Sequence, residues 1–231
     1  SHTASITDAQ TVKRAMQGCQ RVYHLAALSG LWGADKKAFL SVNQGGTNTV
    51  LKTARESGVE RVIHTSTESI LIAMGKGRAA QVVNESTQHQ LADMAGEYCQ
   101  GKFLAEEAAQ NAAQAGQDVV IVNPTVPAGP GDHWLTPPTR MMLGFLNQKY
   151  PAYLNSTINL ADARDIAQGH ILAADKGISG QRYILGAHET RLGELLMLLE
   201  EISGVSMPKR KIPYVLAYSV GLVGEWIADY I

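Results

Sequence analysis

Short β-branched runs alternate with longer stretches of helical periodicity through the first half of the chain. That alternation predicts a parallel sheet covered by helices. Residues 21–27 (Arg-Val-Tyr-His-Leu-Ala-Ala) read as a strand ending in small side chains. Residues 34–57 read as a helix with Phe39, Leu40, Val50 and Leu51 among its apolar positions, and Gly58 suits its C-terminal cap. Residues 59–66 form the next strand. A long polar stretch, 67–93, precedes a helix that ends near Gly116. Residues 118–123 are close to a continuous apolar run, as expected for a strand buried on both faces.

Beyond this point the texture changes. Pro124, Pro127, Pro130, Pro137 and Pro138, with Gly129 and Gly131, make 124–138 a rigid irregular loop. Shorter elements follow: a helix near 139–146, a strand near 152–154, a helix near 161–175, a strand at 181–185 and a helix at 191–202. The stripe Leu192, Leu195, Leu196, Leu198, Leu199 and Ile202 reads as packing. Residues 212–231 are largely apolar, but Pro213, Glu225 and Asp229 interrupt them. A membrane span needs ~20 apolar residues with few charges, so a packed helix is expected there. The predicted fold is α/β, a doubly wound parallel sheet with a small C-terminal α+β lobe. Residues 1–135 would form the core and 136–231 mainly the lobe, with segments interleaved.

Composition narrows the function. A chain of 231 residues with 45% hydrophobic content can bury a sizeable core. The net charge of −1 argues against a nucleic-acid groove or an anionic membrane surface as partner. Two cysteines, Cys19 and Cys99, cannot form a disulfide framework, so a reducing cytoplasm is expected. The polar start, Ser1-His2-Thr3-Ala4, shows no signal peptide. No cluster of His, Cys, Asp and Glu has metal-site spacing, so no metal site is expected. His24, His64 and His170 lie within apolar elements and read as hydrogen-bonded core histidines.

The chemistry starts from Tyr98 and Lys102, four residues apart. On a helix both side chains share one face. A phenol beside an ammonium is a means of making a tyrosine acidic enough to exchange a proton with an alcohol or ketone. Ligands of doubly wound sheets bind beyond the carboxyl ends of the strands. Three predicted strands end in Leu25-Ala26-Ala27-Leu28, in the hydroxyl cluster Thr65-Ser66-Thr67, and in the loop from Asn123 to Asp132. Hydroxyl, phenol and ammonium could therefore converge at one edge.

Six landmarks in order, namely Ile6-Thr7-Asp8, Val22 to Ala27, Asn43 to Thr47, Thr65-Ser66-Thr67, Tyr98/Lys102 with Ala105-Glu106, and Asn123 to Asp132, resemble a known family. It is the extended short-chain dehydrogenase/reductase group, in its NAD-dependent epimerase/dehydratase branch. The later segments are similar to hopanoid-associated sugar epimerases, with dihydroflavonol-reductase-like enzymes as close neighbours. The resemblance implies a Rossmann-like fold and NAD or NADP as cofactor. It implies Tyr98 as general acid/base, Lys102 lowering the Tyr98 pKa and binding the nicotinamide ribose, Thr67 holding the substrate oxygen, and Asn43 ordering its helix end. Ile6, Ala26, Ala27, Leu28, Pro124 and Val126 would line the cofactor. Glu68, Asn123, His133 and Trp134 would face a small-molecule substrate beside Thr67.

The family's glycine-rich strand-turn-helix, which cradles the pyrophosphate, is missing. Gly30-Leu31-Trp32-Gly33 follows a strand but lacks the third glycine. The chain therefore reads as lacking the first βαβ unit and stopping short at its rear. An exposed sheet edge would favour a homo-oligomer. Three functions are carried forward: a nucleotide-sugar epimerase/dehydratase, an NADPH-dependent ketone or aldehyde reductase, and a cofactor-free module without catalysis.

Overall fold

The computed structural model describes residues 5–29, 36–73, 82–213 and 215. Residues 30–33 and nearly all of the apolar stretch after Pro213 lie outside them. In chain order the elements are α1 (Ala9–Ala15), β1 (Arg21–His24), α2 (Lys36–Phe39), a π-helical segment (Leu40–Gly46), α3 (Thr47–Glu56), β2 (Arg61–Thr65), a 3-10 turn (Glu68–Leu71), a second 3-10 turn (Leu91–Asp93), α4 (Gly96–Gln114) and β3 (Val119–Pro124). They continue with β4 (Val126–Ala128), α5 (Pro137–Leu146), β5 (Tyr153–Leu154), β6 (Thr157–Asp162), α6 (Ala163–Lys176), β7 (Arg182–Leu185), β8 (His188–Arg191), α7 (Leu192–Ser203) and β9 (Lys211–Ile212). Two compact units result. The first holds Ser1–Thr125 and Ala163–Gly186, and the second Val126–Asp162 and Ala187–Ile231.

The first unit is a parallel sheet in the order β1-β2-β3-β7. Its register sets Tyr23 beside Ile63, Ile63 beside Val120, and Val122 beside Tyr183. Because side chains alternate across a strand, β3 feeds both faces. Val119 and Ile121 pack with Val12, Val50, Leu51, Ala54 and Ala109 from α1, α3 and α4. Val120 and Val122 pack with Ile63 and with Ala173 and Ala174 of α6. Helices cover both faces, so the sheet is doubly wound, and Val119, Val120, Ile121 and Val122 of β3 are fully buried. Each such valine or isoleucine contributes roughly 1.5–3 kcal/mol relative to exposure. Among the described residues, β1 pairs with β2 alone and forms an open edge.

The sequence reading departs from the structure in places with clear causes. α1 was not anticipated, although Asp8 caps it by accepting from the amides of Gln10 and Thr11 at 3.0 and 3.3 Å. The 34–57 helix contains a π segment, and Gly58 follows it at φ +70°, where glycine costs least. The proline-rich 124–138 stretch is not all loop, since β4 runs through Pro127. A proline is tolerated there because β4 lies at the edge of the second unit's sheet, order β4-β6-β8. The helix expected from 161 starts at Ala163, because 157–162 alternates in the strand manner and pairs with both β4 and β8. Of the leucine stripe of α7, Leu192, Leu195 and Leu196 pack against Phe145, Tyr153 and Met207 with Leu199 beside them, whereas Leu198 and Ile202 are exposed. Among the described residues, no helix is long and apolar enough to cross a membrane.

One polar tie joins α4 to the sheet. The Glu106 carboxylate is 1% exposed. It meets the Arg182 guanidinium of β7 at 2.5 Å and accepts from Asn123 Nδ2 of β3 at 2.8 Å. Arg182 also donates to the Thr87 carbonyl at 2.7 Å. Removing one partner of a buried ion pair leaves a desolvated charge, which costs about 3–5 kcal/mol. Arg182→Met should accordingly lower stability by about 3–5 kcal/mol in urea denaturation, whereas the double variant Arg182→Met/Glu106→Gln should recover a large part of that loss.

Candidate active site

The carboxyl ends of β1, β2 and β3 collect most of the candidate residues within the first unit. Asn43 sits in the π segment, 1% exposed, and holds the loop after β1. Its Oδ1 accepts from the Leu28 amide at 2.7 Å, and its Nδ2 donates to the Leu28 carbonyl at 3.1 Å. This paired amide fixes the backbone beyond Ala26 and Ala27, which stay exposed and half-buried. Ile6 is seated by a small residue. A Cβ on Gly46 would lie 2.4 Å from Ile6 Cδ1, so glycine there makes room for it. Gly101 does the same for α4: a Cβ would lie 3.0 Å from the Phe39 carbonyl oxygen. The helix bearing Tyr98 and Lys102 thereby approaches the π segment.

Thr67 ends the extended backbone after β2 and caps the 3-10 turn that follows. Its Oγ1 accepts from the Ser69 amide at 3.2 Å and donates to Glu68 Oε2 at 3.0 Å. Its carbonyl accepts from Asn123 Nδ2 at 3.1 Å. The structural role, a strand-end turn hydroxyl, is thus filled, its hydrogen bonds going to Glu68 and Ser69. Tyr98 is half-buried and meets Phe39 edge-on at 6.5 Å. Pro124 closes β3 opposite Leu185.

The electrostatics correct one expectation. Lys102 is 5% exposed, and its ammonium donates to the Thr65 carbonyl at 2.6 Å. Burial brings its pKa down to about 8, with Glu106, one helical turn along, pulling the other way. Tyr98 is not made acidic. Burial pushes its phenol up to about 12, only partly offset by the Thr67 hydrogen bond. Lys102 does not lower it in this arrangement, because its charge is spent on the β2 carbonyl and removal from water dominates. Glu68 is raised by burial as well, against the pull of its Thr67 hydrogen bond.

The histidines divide. His170 is satisfied by Thr65 and the Ile166 carbonyl, and His24 by Thr47 Oγ1 at 2.9 Å. His64 is not satisfied: neither ring nitrogen has a hydrogen-bond partner among the described residues, and the ring packs on His24 at 5.4 Å. A neutral ring packed against other side chains fills space at this point, which sequence pattern alone cannot distinguish from a bonded one. Val126, His133 and Trp134 belong to the second unit. Val126 is in β4, and Trp134 is 92% exposed in a turn fixed by Asp132, which accepts from the Thr136 amide at 2.7 Å. The sequence reading did not foresee the Glu106–Arg182–Asn123 tie. Its one signal was Glu106 at i+4 from Lys102, on the same helical face. Among the described residues no group of His, Cys, Asp and Glu could hold a metal ion.

A doubly wound sheet with a phenol, an ammonium and a hydroxyl beyond its carboxyl ends defines the Rossmann-like α/β class. The chain belongs to the NAD dependent epimerase/dehydratase family, which matches residues 1–186. It is 41% identical over 214 residues to a candidate dihydroflavonol 4-reductase of Synechocystis sp., covering 91% of this chain and 62% of the relative. The chain thus spans about three-fifths of that relative's length. The crystal structure of gox2253 is 32% identical with a TM-score of 0.86, over 98% of this chain and 68% of the other. That of the dTDP-glucose 4,6-dehydratase DesIV from Streptomyces venezuelae, with NAD and DAU bound, is 25% identical with a TM-score of 0.75, over 88% and 63%.

The residues present fit the reacting end of such a cofactor. Ser66 Oγ and Asn123 Oδ1 are buried at the strand ends without hydrogen-bond partners among the described residues, and Lys102 is a buried donor beside them.

The histidine pair makes stability depend on pH. Burial, with the nearby Lys102 charge, holds His24 at about 4 and His64 well below its usual 6.5. Between pH 6.5 and 4 the unfolded chain binds protons that the folded one refuses, so stability falls as pH falls. A shift of this size in His24 corresponds to roughly 3 kcal/mol. Tm should drop steadily across that window in circular-dichroism melts, and His24→Gln should flatten the drop.

Proposed function

We propose that this chain carries the proton-transfer site of a nicotinamide-dependent oxidoreductase acting on a carbonyl or secondary alcohol. The observation that supports it is Lys102, buried on the Thr65 carbonyl at the carboxyl end of β2 and one helical turn from the half-buried Tyr98. NAD or NADP, when bound, would supply or accept the hydride. Thr67 and Tyr98 would orient the substrate oxygen, and Tyr98 would give its proton to that oxygen as reduction makes it basic. A phenol held near 12 is protonated at neutral pH, so it holds a proton to give, and bound cofactor and substrate would have to bring its pKa down for efficient transfer. Lys102, anchored on the Thr65 carbonyl, would donate to the ribose of that cofactor. Asn43 would hold the Leu28 backbone so that Ile6, Ala26, Ala27 and Pro124 form one wall.

Reduction of a ketone is the favoured reaction, supported by the identity to the Synechocystis relative. Epimerisation or dehydration of a nucleotide sugar is the second reading, supported by the likeness to DesIV. Absorbance of the reduced cofactor separates them. Steady loss with aromatic ketones marks a reductase, and turnover of sugar nucleotides without net loss marks an epimerase. Tyr98→Phe should lower kcat by at least about 100-fold in either assay, with KM changed little. Equal activity of the variant would remove Tyr98 from the chemistry. Saturable binding of NAD or NADP by calorimetry would set aside a cofactor-free module.

The open edge of β1 supports a homo-oligomer, since its outward amides and carbonyls can template a strand of a second copy. Light scattering should show mass rising with concentration, and a constant monomer mass would exclude it.

A further inference from the structure

The second unit has a cavity of its own, about 400 Å³, lined by α7, the β5/β9 pair and the segment between α7 and β9. No residue placed in the proton-transfer site lines it. Tyr153 stands in its wall, 7% exposed, yet its hydroxyl has no hydrogen-bond partner among the described residues. A buried tyrosine ordinarily finds a partner for that group. The fold also makes room for the hydroxyl. A Cβ on Gly193 would lie 2.7 Å from the phenol oxygen, so the first turn of α7 carries glycine, the poorest helix former after proline. The ring packs in the cluster of Leu192, Leu195 and Leu196, which leaves the oxygen as the group that packing does not use.

Positive charge collects on the same side. Tyr153 and Lys211 are register partners, so their side chains leave one face of the two-stranded sheet, and Lys209, two residues back, alternates onto it. Arg191 joins them from the start of α7, and all three cations line the cavity. Among the described residues none of the three has an ion-pair partner. Glu194 and Glu200 line it too, but each is engaged on a backbone amide, that of Arg191 at 3.2 Å and that of Met207 at 3.0 Å. The balance is one positive charge. Leu196, Met207 and Pro208 supply an apolar part of the wall.

We propose that this cavity binds an organic monoanion, a carboxylate carrying an apolar chain or ring. The carboxylate meets Arg191, Lys209 and Lys211 and accepts from the Tyr153 hydroxyl, and the apolar body lies on Leu196, Met207 and Pro208. One surplus positive charge matches a carboxylate and leaves the second charge of a phosphate unmatched. At ~30 Å³ for each water-sized group, the volume takes roughly a dozen heavy atoms, which accommodates octanoate. The site is independent of the reaction proposed above and stands whether or not that reading does.

Octanoate titrated into the 231-residue chain tests this. Calorimetry should show one saturable site, and Tm should rise with octanoate concentration. In methyl NMR the Met207 signal should shift while those of Met16 and Met94, in the first unit, stay in place. Tyr153→Phe, which keeps the ring, and the double variant Lys209→Gln/Lys211→Gln, at two exposed positions, should each weaken binding about tenfold. Octanol, of the same length without the charge, should bind at least about tenfold more weakly. Lack of saturable binding at millimolar octanoate, equal shifts at Met16 and Met94, or unchanged affinity in either variant overturns the proposal. Octanol binding as tightly as octanoate, or inorganic phosphate displacing it, overturns the assignment of a carboxylate.

Discussion

A single carboxylate organises the region where the chemistry is gathered. Glu106 lies almost wholly out of water, and it holds an arginine from β7 and an amide from β3. Through Asn123 the tie continues to the Thr67 carbonyl beyond β2. One turn back along α4, the same charge moderates the burial of Lys102. Without Glu106, the lysine would lose its nearby counter-charge, Arg182 would be stranded, and three strand ends would lose their common anchor. Because α4 also bears Tyr98, fixing its angle on the sheet fixes where the phenol lies relative to the turn after β2.

The cost of this arrangement is visible in the neighbouring groups. His24 and His64 remain neutral because burial removes the water that a charged ring needs, and the Lys102 charge nearby adds to that. The layer admits one cation, and the rings beside it act as uncharged packing. Tyr98 experiences the same desolvation from the other side and stays a phenol. The phenol is thus protonated at neutral pH, and a phenolate forms there only when something stabilises it.

Much of this was legible in the sequence. The unbroken apolar run of β3 announced a strand buried on two faces, and Val119 to Val122 are fully buried. The hydroxyls after β2 and the Tyr98/Lys102 spacing announced which strand end to inspect, and the family landmarks agree with the family match over residues 1–186. What stayed illegible was of two kinds. Short strands such as β4, β6 and β8 carry too few residues for periodicity to rise above their prolines and polar positions, and only pairing defines them. Charge states were the other kind. Spacing shows that Tyr98 and Lys102 are neighbours, but the pKa of each depends on how much water surrounds it and on which carbonyl the ammonium finds.

The π segment between α2 and α3 can be viewed as a phase shift written into a helix. A regular α-helix advances about 100° per residue, so inserting one residue within a turn rotates everything on one side relative to the other. Here the rotation lets one stretch satisfy two masters: Val50, Leu51 and Ala54 face the sheet, while Asn43 faces the Leu28 backbone. Ironing the segment into a regular helix by deleting one residue would leave the core face of α3 intact and swing the amide away from the loop after β1. The backbone wall offered to a ligand is thus governed by angular bookkeeping along one helix, and is separable from the packing that keeps the domain folded.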